Sequence, residues 1–410
     1  MIEKDNKRVL LLDLARHAID AVRGDRLTAD AARSAQFGSP LCVMAVGKAA
    51  AAMAAGVQQT LDGQIHRSLV VTKKGHADPW SENLRQAEVL EAGHPIPTRE
   101  SVAAGVRLLE WMHEAGEDAH FLFLISGGAS SLVEAPAPGI DVAMLQRVNH
   151  WLLASGLSIG EINRIRRRIS RIKGGNLLRF LHGRHATVWL LSDVAGDRPE
   201  VIGSGLLYPA DSGEAHKLEL PDWLQAAVDS VPGPSSIQEK IPDHRILANL
   251  AVACEAVAER ARVKGLAATI HSTGLDGDAE ATGRALVAQL SGLSPGIHIW
   301  GGETTVRLPD QPGRGGRNQH LALAAALLLA GESDVSLLSV GTDGSDGPTE
   351  DAGALVDGGT ISRGELAGLD AADRLRHADS GSFLEASGDL ISTGPTGTNV
   401  RDLVIAWKGS

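Results

Sequence analysis

The sequence is short of several things, and each shortage excludes something. Cysteine occurs twice in 410 residues, at Cys42 and Cys254, both in apolar segments. That is too little for a disulfide framework or a cysteine zinc site, and it suits a reducing, cytoplasmic setting. Aromatic residues make up 3%, with five Phe and one Tyr, so the core must be built from Ala, Val, Leu and Ile. No apolar run approaches the roughly 20 residues that cross a bilayer. The helical spacing of Val9–Val22 is broken by Asp13, Arg16 and Asp20, which excludes a signal-peptide core. A membrane protein and a secreted binding protein are both disfavoured. Basic residues are in deficit, 39 against 50 acidic ones, for a formal charge of −11. Such a chain has no general attraction to nucleic acid, so an anionic ligand must be met by locally gathered charge. The GxGxxG fingerprint is absent, which weighs against an ordinary nicotinamide enzyme.

What is present is an ordinary apolar content of 43%, a charged content of 22% and an excess of glycine, 47 residues. At roughly 100–200 residues per domain, the length predicts about two domains. Strand-like runs occur at Leu41–Val46, Ser68–Thr72, Phe121–Ser126, Thr187–Asp193, Ala267–His271, Gly296–Thr305 and Val335–Thr342. Helical stretches fall between them at Lys48–Leu61, Thr98–His113, Asp141–Ala154, Ile246–Val263, Asp278–Leu290 and Arg317–Leu329. This alternation predicts α/β architecture with open, doubly wound, mostly parallel sheets. Tyr208–Asp243 carries five prolines, Pro209, Pro221, Pro232, Pro234 and Pro242, and reads as a linker. A boundary near Pro242 divides the chain into 1–242 and 243–410. Open α/β sheets bind ligands beyond the carboxyl ends of their strands, so the chemistry should follow the strand-like runs.

It does. Leu41–Val46 runs into Gly47-Lys48 and a small-residue helix, which sets an ammonium beside a positive helix end, a place for phosphate. Walker A spacing is missing, and a lysine lying along a helix start is the alternative. Phe121–Ser126 runs into Gly127-Gly128-Ala129-Ser130-Ser131, where two glycines can form an anion nest beside three hydroxyls; the alternative is a tight turn with a Ser cap. Asp193 and Asp197, and Asp343 and Asp346, follow two further runs among glycines. Carboxylates so placed suit Mg²⁺ or else Asx turns, and the second segment lacks the Glu of a calcium loop. Glu303 closes another run, as a substrate ligand or a solvated charge. Pro312–Gln319 puts Arg317 at a helix N-terminus, where a cation opposes the macrodipole unless an anion sits between them. In Glu161–Lys173, EINRIRRRISRIK, the isoleucines form one stripe and the arginines the rest, a solvated face from which one arginine could reach an anion. His76 and His94 sit in glycine-rich turns without zinc spacing.

Taken in order, AVGKAA (45–50), EAGHPIPTRES (91–101), LISGGASSLVEAPAPG (124–139), LLSDVAGDRPEVIGSG (190–205), GRGGRNQHLALA (313–324), GTDGSDGPTEDAGALVD (341–357) and TGPTGTNVRDL (393–403) resemble the class II glycerate kinases, the MOFRL family. The resemblance implies transfer of the ATP γ-phosphoryl group to the 2-hydroxyl of D-glycerate with Mg²⁺. It also implies a Rossmann-like N-terminal domain, a MOFRL-type C-terminal domain and an active-site cleft between them. Under it Lys48 and Arg317 are catalytic. The strand-end residues read above complete the expected site, with Asp193 as the catalytic group that accepts the hydroxyl proton. Gly47, Ser126, Gly127, Gly128, Ser130 and Ser131 hold nucleotide phosphates, Glu303 and Arg166 hold substrate, and Asp193 and Asp343 hold the metal. The expected partners are small molecules, ATP and D-glycerate, with neither nucleic acid nor membrane, and with room for a homodimer. Some relatives are labelled hydroxypyruvate reductase, so an NAD(P)H-dependent reductase is one competing reading; a non-catalytic sugar-acid-binding regulator is another. Two departures stand out: Arg168 where relatives often have His, and Leu206-Leu207 after Ser204-Gly205 where Pro-Thr is usual.

Overall fold

The computed structural model describes residues 4–209, 218–231 and 239–409. They form two compact units. One is Arg23–Leu247 with the short return Gly397–Asn399; the other is Met1–Val22, Ala248–Thr396 and Val400–Ser410. The expected division at 242/243 therefore moves to Leu247/Ala248, and the opening helix α1 (Lys4–Ala21) changes sides. The reason is visible in its packing. Leu11 and Leu14 of α1 are fully buried, and Arg8 donates to Leu355 O and to Asp389 Oδ1, both in the second unit. Of the expected linker, 210–217 and 232–238 lie outside the described residues.

The first unit is a six-stranded sheet. Its elements in order are α2 (Gly24–Ser34), β1 (Leu41–Val46), α3 (Ala50–Leu61), β2 (Ile65–Lys73), β3 (Ala87–Ala92), α4 (Arg99–Glu114), β4 (His120–Ile125), α5 (Ala129–Leu132), α6 (Val142–Ala154), α7 (Ile159–Arg168), β5 (Ala186–Leu191), α8 (Asp222–Ser230) and β6 (His244–Ala248). The strand order is β3-β2-β1-β4-β5-β6, and the pairs β3-β2, β2-β1, β1-β4 and β4-β5 are parallel, as expected. All six residues of β1 are buried, which explains its unbroken apolar run. Cys42, Met44 and Val46 pack with Leu108, Trp111 and Met112 of α4. On α3 the small residues permit close approach: a Cβ on Gly56 would lie 2.0 Å from Asp25 O, and Thr28 Oγ1 donates to Met53 O at 2.8 Å. The helix expected from Ile246 starts later: Ile246–Ala248 belong to β6, and α9 (Leu250–Val263) begins only after the Asn249 cap.

A second apolar cluster joins α6, α7 and α8 through Leu145, Val148, Leu152, Ile165, Ile169 and Leu224. The basic helix is shorter than its isoleucine stripe suggested. It stops at Arg168, and Ile172 belongs to the main core. Nor is the end of that stretch solvated. Lys173 is 1% exposed and its ammonium bonds Glu134, whose other oxygen accepts from Ser170 Oγ. Burial lowers the Lys173 pKa against the pull of Glu134.

The second unit contains α9, β7 (Ala268–Ile270), α10 (Ala279–Ser291), β8 (Gly296–Gly302), α11 (Arg317–Leu329), β9 (Val335–Gly341), β10 (Gly353–Asp357), α12 (Thr360–Leu366), α13 (Ala371–Arg376), α14 (Ser380–Ser387), β11 (Leu390–Ile391) and β12 (Asp402–Lys408), besides α1. The sheet order is β11-β10-β9-β12-β8-β7. Four strands run one way, but β10 and β12 run against them, so only β7-β8 is a parallel pair. The expectation of a mostly parallel sheet thus holds for strand direction and not for pairing. The cause is β12, which inserts between β8 and β9 from the end of the chain. Among the described residues no helix is long and apolar enough to cross a membrane.

The Lys173–Glu134 pair makes a stability prediction. Lys173→Met alone should cost about 3–5 kcal/mol, because it strands a buried carboxylate. Lys173→Met with Glu134→Leu should recover most of that loss in denaturant melts. Additive losses in the double variant would contradict the pairing.

Candidate active site

In the first unit the strand order reverses between β1 and β4, the position at whose carboxyl edge open α/β sheets take their ligands. Val46 lies in register with Ile125, so Gly47-Lys48 and Ser126-Gly127-Gly128 leave the sheet side by side. The exits are laced together. Lys48 N–H donates to Gly127 O at 2.9 Å, Ser126 N–H to Val46 O at 3.0 Å, and Ala49 N–H to Ser126 Oγ at 3.1 Å. Gly47 has φ +126°, and a Cβ there would lie 2.2 Å from Ser126 Oγ, so no other residue fits.

Four side chains gather on the two glycines of the other exit. A Cβ on Gly127 would meet Asp193 Oδ2 at 2.0 Å and Asn399 Nδ2 at 2.1 Å. On Gly128 it would meet Lys48 Cγ at 3.1 Å and His94 Nε2 at 3.4 Å. His76 Nδ1 lies 3.1 Å from Lys48 O and steadies that turn. The helix after Lys48, α3, runs for 12 residues, so its N-terminal dipole reinforces the ammonium.

Several of the expected ligands also make bonds within the fold. Ser126 is fully buried and its hydroxyl holds Ala49, so it ties the loop together. Ser131 Oγ donates to Gly128 O at 3.2 Å. Ser130 is half-buried, its Oγ 2.7 Å from that of Ser204. Arg166 donates to Asn149 Oδ1 on α6 at 3.1 Å, and burial lowers its pKa despite the nearby charge of Glu134.

The second unit gathers its own set at one sheet edge. Because β12 is antiparallel, its first residue, Asp402, lies in register with both Gly302 and Gly341, the ends of β8 and β9. Arg317, at the start of α11, donates from Nε to Asp402 Oδ2 at 2.5 Å and from Nη2 to Oδ1 at 3.0 Å. Its Nη1 lies 2.7 Å from Glu303 Oε1, and Arg401 Nε is 3.6 Å from Glu303 Oε2. Burial works against the Arg317 charge, but Asp402 and Glu303 outweigh it and raise its pKa further. The glycine-rich loop explains the oddly placed cation. The anion at the helix start is the protein's own Asp346, which accepts from Asn318 N–H at 3.0 Å and Gln319 N–H at 2.8 Å. Gly316 is glycine because a Cβ would lie 2.3 Å from Asp346 Cγ. Asp343 is buried, and its Oδ1 accepts from Ser345 N–H at 2.9 Å in an Asx turn.

Asp193 therefore belongs to the first unit and Asp343 to the second, and among the described residues no three His, Cys, Asp or Glu side chains cluster as a metal cage. Mg²⁺ carried on phosphates asks for less, one or two carboxylates and waters, and Asp193 beside Gly127 fits that demand. Sequence reasoning missed Asn399, Arg401 and Asp402. The stretch 393–403 signalled them only as a motif.

Burial raises the Asp346 pKa to about 7, against the backbone N–H groups that favour the carboxylate. A raised carboxyl pKa stabilises the fold below the unfolded value of 3.8, and this contribution is lost as pH rises through about 7. The stability advantage of the unsubstituted chain over Asp346→Asn should therefore shrink between pH 5 and pH 8 in denaturant melts. A constant or widening gap would contradict the assignment.

Comparison with known proteins identifies the family. A family model described as a domain of unknown function (DUF4147) matches residues 10–234, and the MOFRL family model matches 296–402. A D-glycerate 2-kinase from Thermotoga maritima is 36% identical over 420 aligned residues, covering 99% of both chains. A relative from Agrobacterium vitis, provisionally named a hydroxypyruvate reductase, is 36% identical over 88% of this chain and 97% of its own. The crystal structure of a Thermotoga maritima glycerate kinase superposes with a TM-score of 0.82 at 35% identity, covering 99% of this chain and all of that one. The chain belongs to the glycerate 2-kinase family, with a MOFRL domain forming much of its second unit.

Proposed function

We propose that the chain transfers the γ-phosphoryl group of ATP to the 2-hydroxyl of D-glycerate, giving 2-phospho-D-glycerate and ADP. As a member of this family it is a phosphotransferase. The observation that carries the finer reading is the convergence of Lys48, Asp193, Asn399 and His94 on Gly127-Gly128 at the strand-order reversal. Phosphoryl transfer demands positioning and charge neutralisation more than covalent chemistry. Lys48 and the start of α3 supply positive charge for phosphate oxygens. Asp193, which lies with the Asn399 amide against Gly127, takes the proton of the attacking hydroxyl in this reading. Mg²⁺, held by Asp193 or Asp343 when bound, supplies further neutralisation of the phosphates.

Arg317 acts through what it can release. Its bond to Asp402, a side chain 3% exposed, fixes the guanidinium plane, whereas Glu303 is 41% exposed and weakly held. An incoming phosphate or carboxylate displaces Glu303 and keeps the Asp402 anchor. The two cysteines are free and buried, in keeping with a cytoplasmic enzyme.

The test is product identification. With ATP, Mg²⁺ and D-glycerate, phosphorus NMR should show 2-phosphoglycerate and ADP growing together. Hydroxypyruvate with NADH or NADPH should give no absorbance change. Nicotinamide oxidation, or glycerate binding without ADP formation, would overturn the proposal in favour of a reductase or a binding regulator.

A further inference from the structure

Three successive residues, Gly203, Ser204 and Gly205, take left-handed φ angles of +59°, +63° and +68°. The outer two are glycines, but the middle one is a serine in a conformation that L side chains resist. The loop is not slack. Ser204 N–H donates to Val201 O at 2.9 Å, Ser204 O accepts from Gly174 N–H at 3.0 Å, and Gly205 O accepts from Gly175 N–H at 2.7 Å. A Cβ on Gly203 would touch the Ala129 methyl at 3.0 Å, so the loop is pressed onto α5. Glycine would satisfy this backbone better; what serine adds is a hydroxyl.

That hydroxyl is 1% exposed with its residue and has two partners. Ser204 Oγ donates to Asn163 Oδ1 at 3.0 Å, and it lies 2.7 Å from Ser130 Oγ. A hydroxyl has one proton. With the Ser204 proton committed to Asn163, the short bond must be donated by Ser130. The Ser130 proton is then consumed, and its oxygen has only lone pairs left to offer. Lone pairs repel a phosphate oxygen and accept from an O–H. Ser130 is half-buried and follows Gly128, on whose face Lys48 and His94 lie.

We propose that Asn163 and Ser204 are positioning residues that fix the polarity of Ser130, so that Ser130 accepts a hydrogen bond from a hydroxyl of the small hydroxy-acid substrate instead of binding phosphate. This reassigns Ser130 from the nucleotide to the acceptor, and it rests on the kinase reading above.

The test uses the full chain and steady-state kinetics with D-glycerate and ATP varied separately. Ser204→Gly should stay folded, since glycine accepts the backbone without strain and this offsets part of the cost of leaving Asn163 Oδ1 without its donor. Its KM for glycerate should rise roughly three- to tenfold, the worth of one hydrogen bond, with KM for ATP unchanged. Ser130→Ala should show the same selective rise. The double variant should be no worse than Ser130→Ala, because Ser204 acts through Ser130. A rise in KM for ATP, an unchanged KM for glycerate, or additive losses would overturn the relay while the kinase reading stands. An unsubstituted chain with no ATP-dependent glycerate turnover would overturn both.

Discussion

The site in the first unit depends on how closely two parallel strands can leave their sheet. Gly47 and Ser126 occupy the same narrow space at the ends of β1 and β4, and a single Cβ would close it. Because the gap is that tight, the Lys48 N–H reaches Gly127 O, and Lys48 and His94 are both drawn onto the face of Gly128. The same economy brings Asp193 and Asn399 onto Gly127. Glycine here is a packing requirement that lets backbone and functional side chains share one small volume. The polar groups are then oriented by the fold and need little further ordering when a ligand arrives.

The second unit solves a different problem, that of holding a cation at the wrong end of a helix. Asp346 fills the α11 start and offsets the dipole, while Asp402 grips the guanidinium from a neighbouring strand. That strand is the last in the chain and inserts antiparallel between two others, which is why its first residue meets their ends. The arrangement leaves Arg317 one buried partner, Asp402, and one exposed partner, Glu303. Such a pairing suits an arginine that must stay oriented yet accept an anion.

Much of this was legible in the sequence, for identifiable reasons. β1 and α11 match their expected limits, because an unbroken apolar run and a glycine-flanked helix start are strong local signals. The rule that ligands gather beyond strand ends singled out Lys48, Gly127, Gly128 and Asp193, which the fold brings close together. β12 was missed, although it is central to its sheet, because nothing in DLVIAWK says which strands it will join. Asn399 and Asp402 went unread for the same reason: their partners lie more than 80 residues away in the chain, and hydrogen-bond partnership at that range is set by topology. Burial was also hard to read. The Ser126 hydroxyl is buried and accepts from Ala49 N–H, and Lys173, at the end of a basic stretch, is 1% exposed and paired with Glu134. The reversal of strand direction in the second sheet was equally silent, since pairing sense is not written in hydropathy.

The central proposal is that Lys48 and Arg317 are each required for phosphoryl transfer. It is tested most directly by kcat for Lys48→Ala and for Arg317→Ala with ATP and D-glycerate, alongside thermal melts. The account predicts that each variant remains folded and loses at least about a hundredfold in kcat, as expected when a group that neutralises transition-state charge is removed. Turnover near that of the unsubstituted chain in either variant would contradict it.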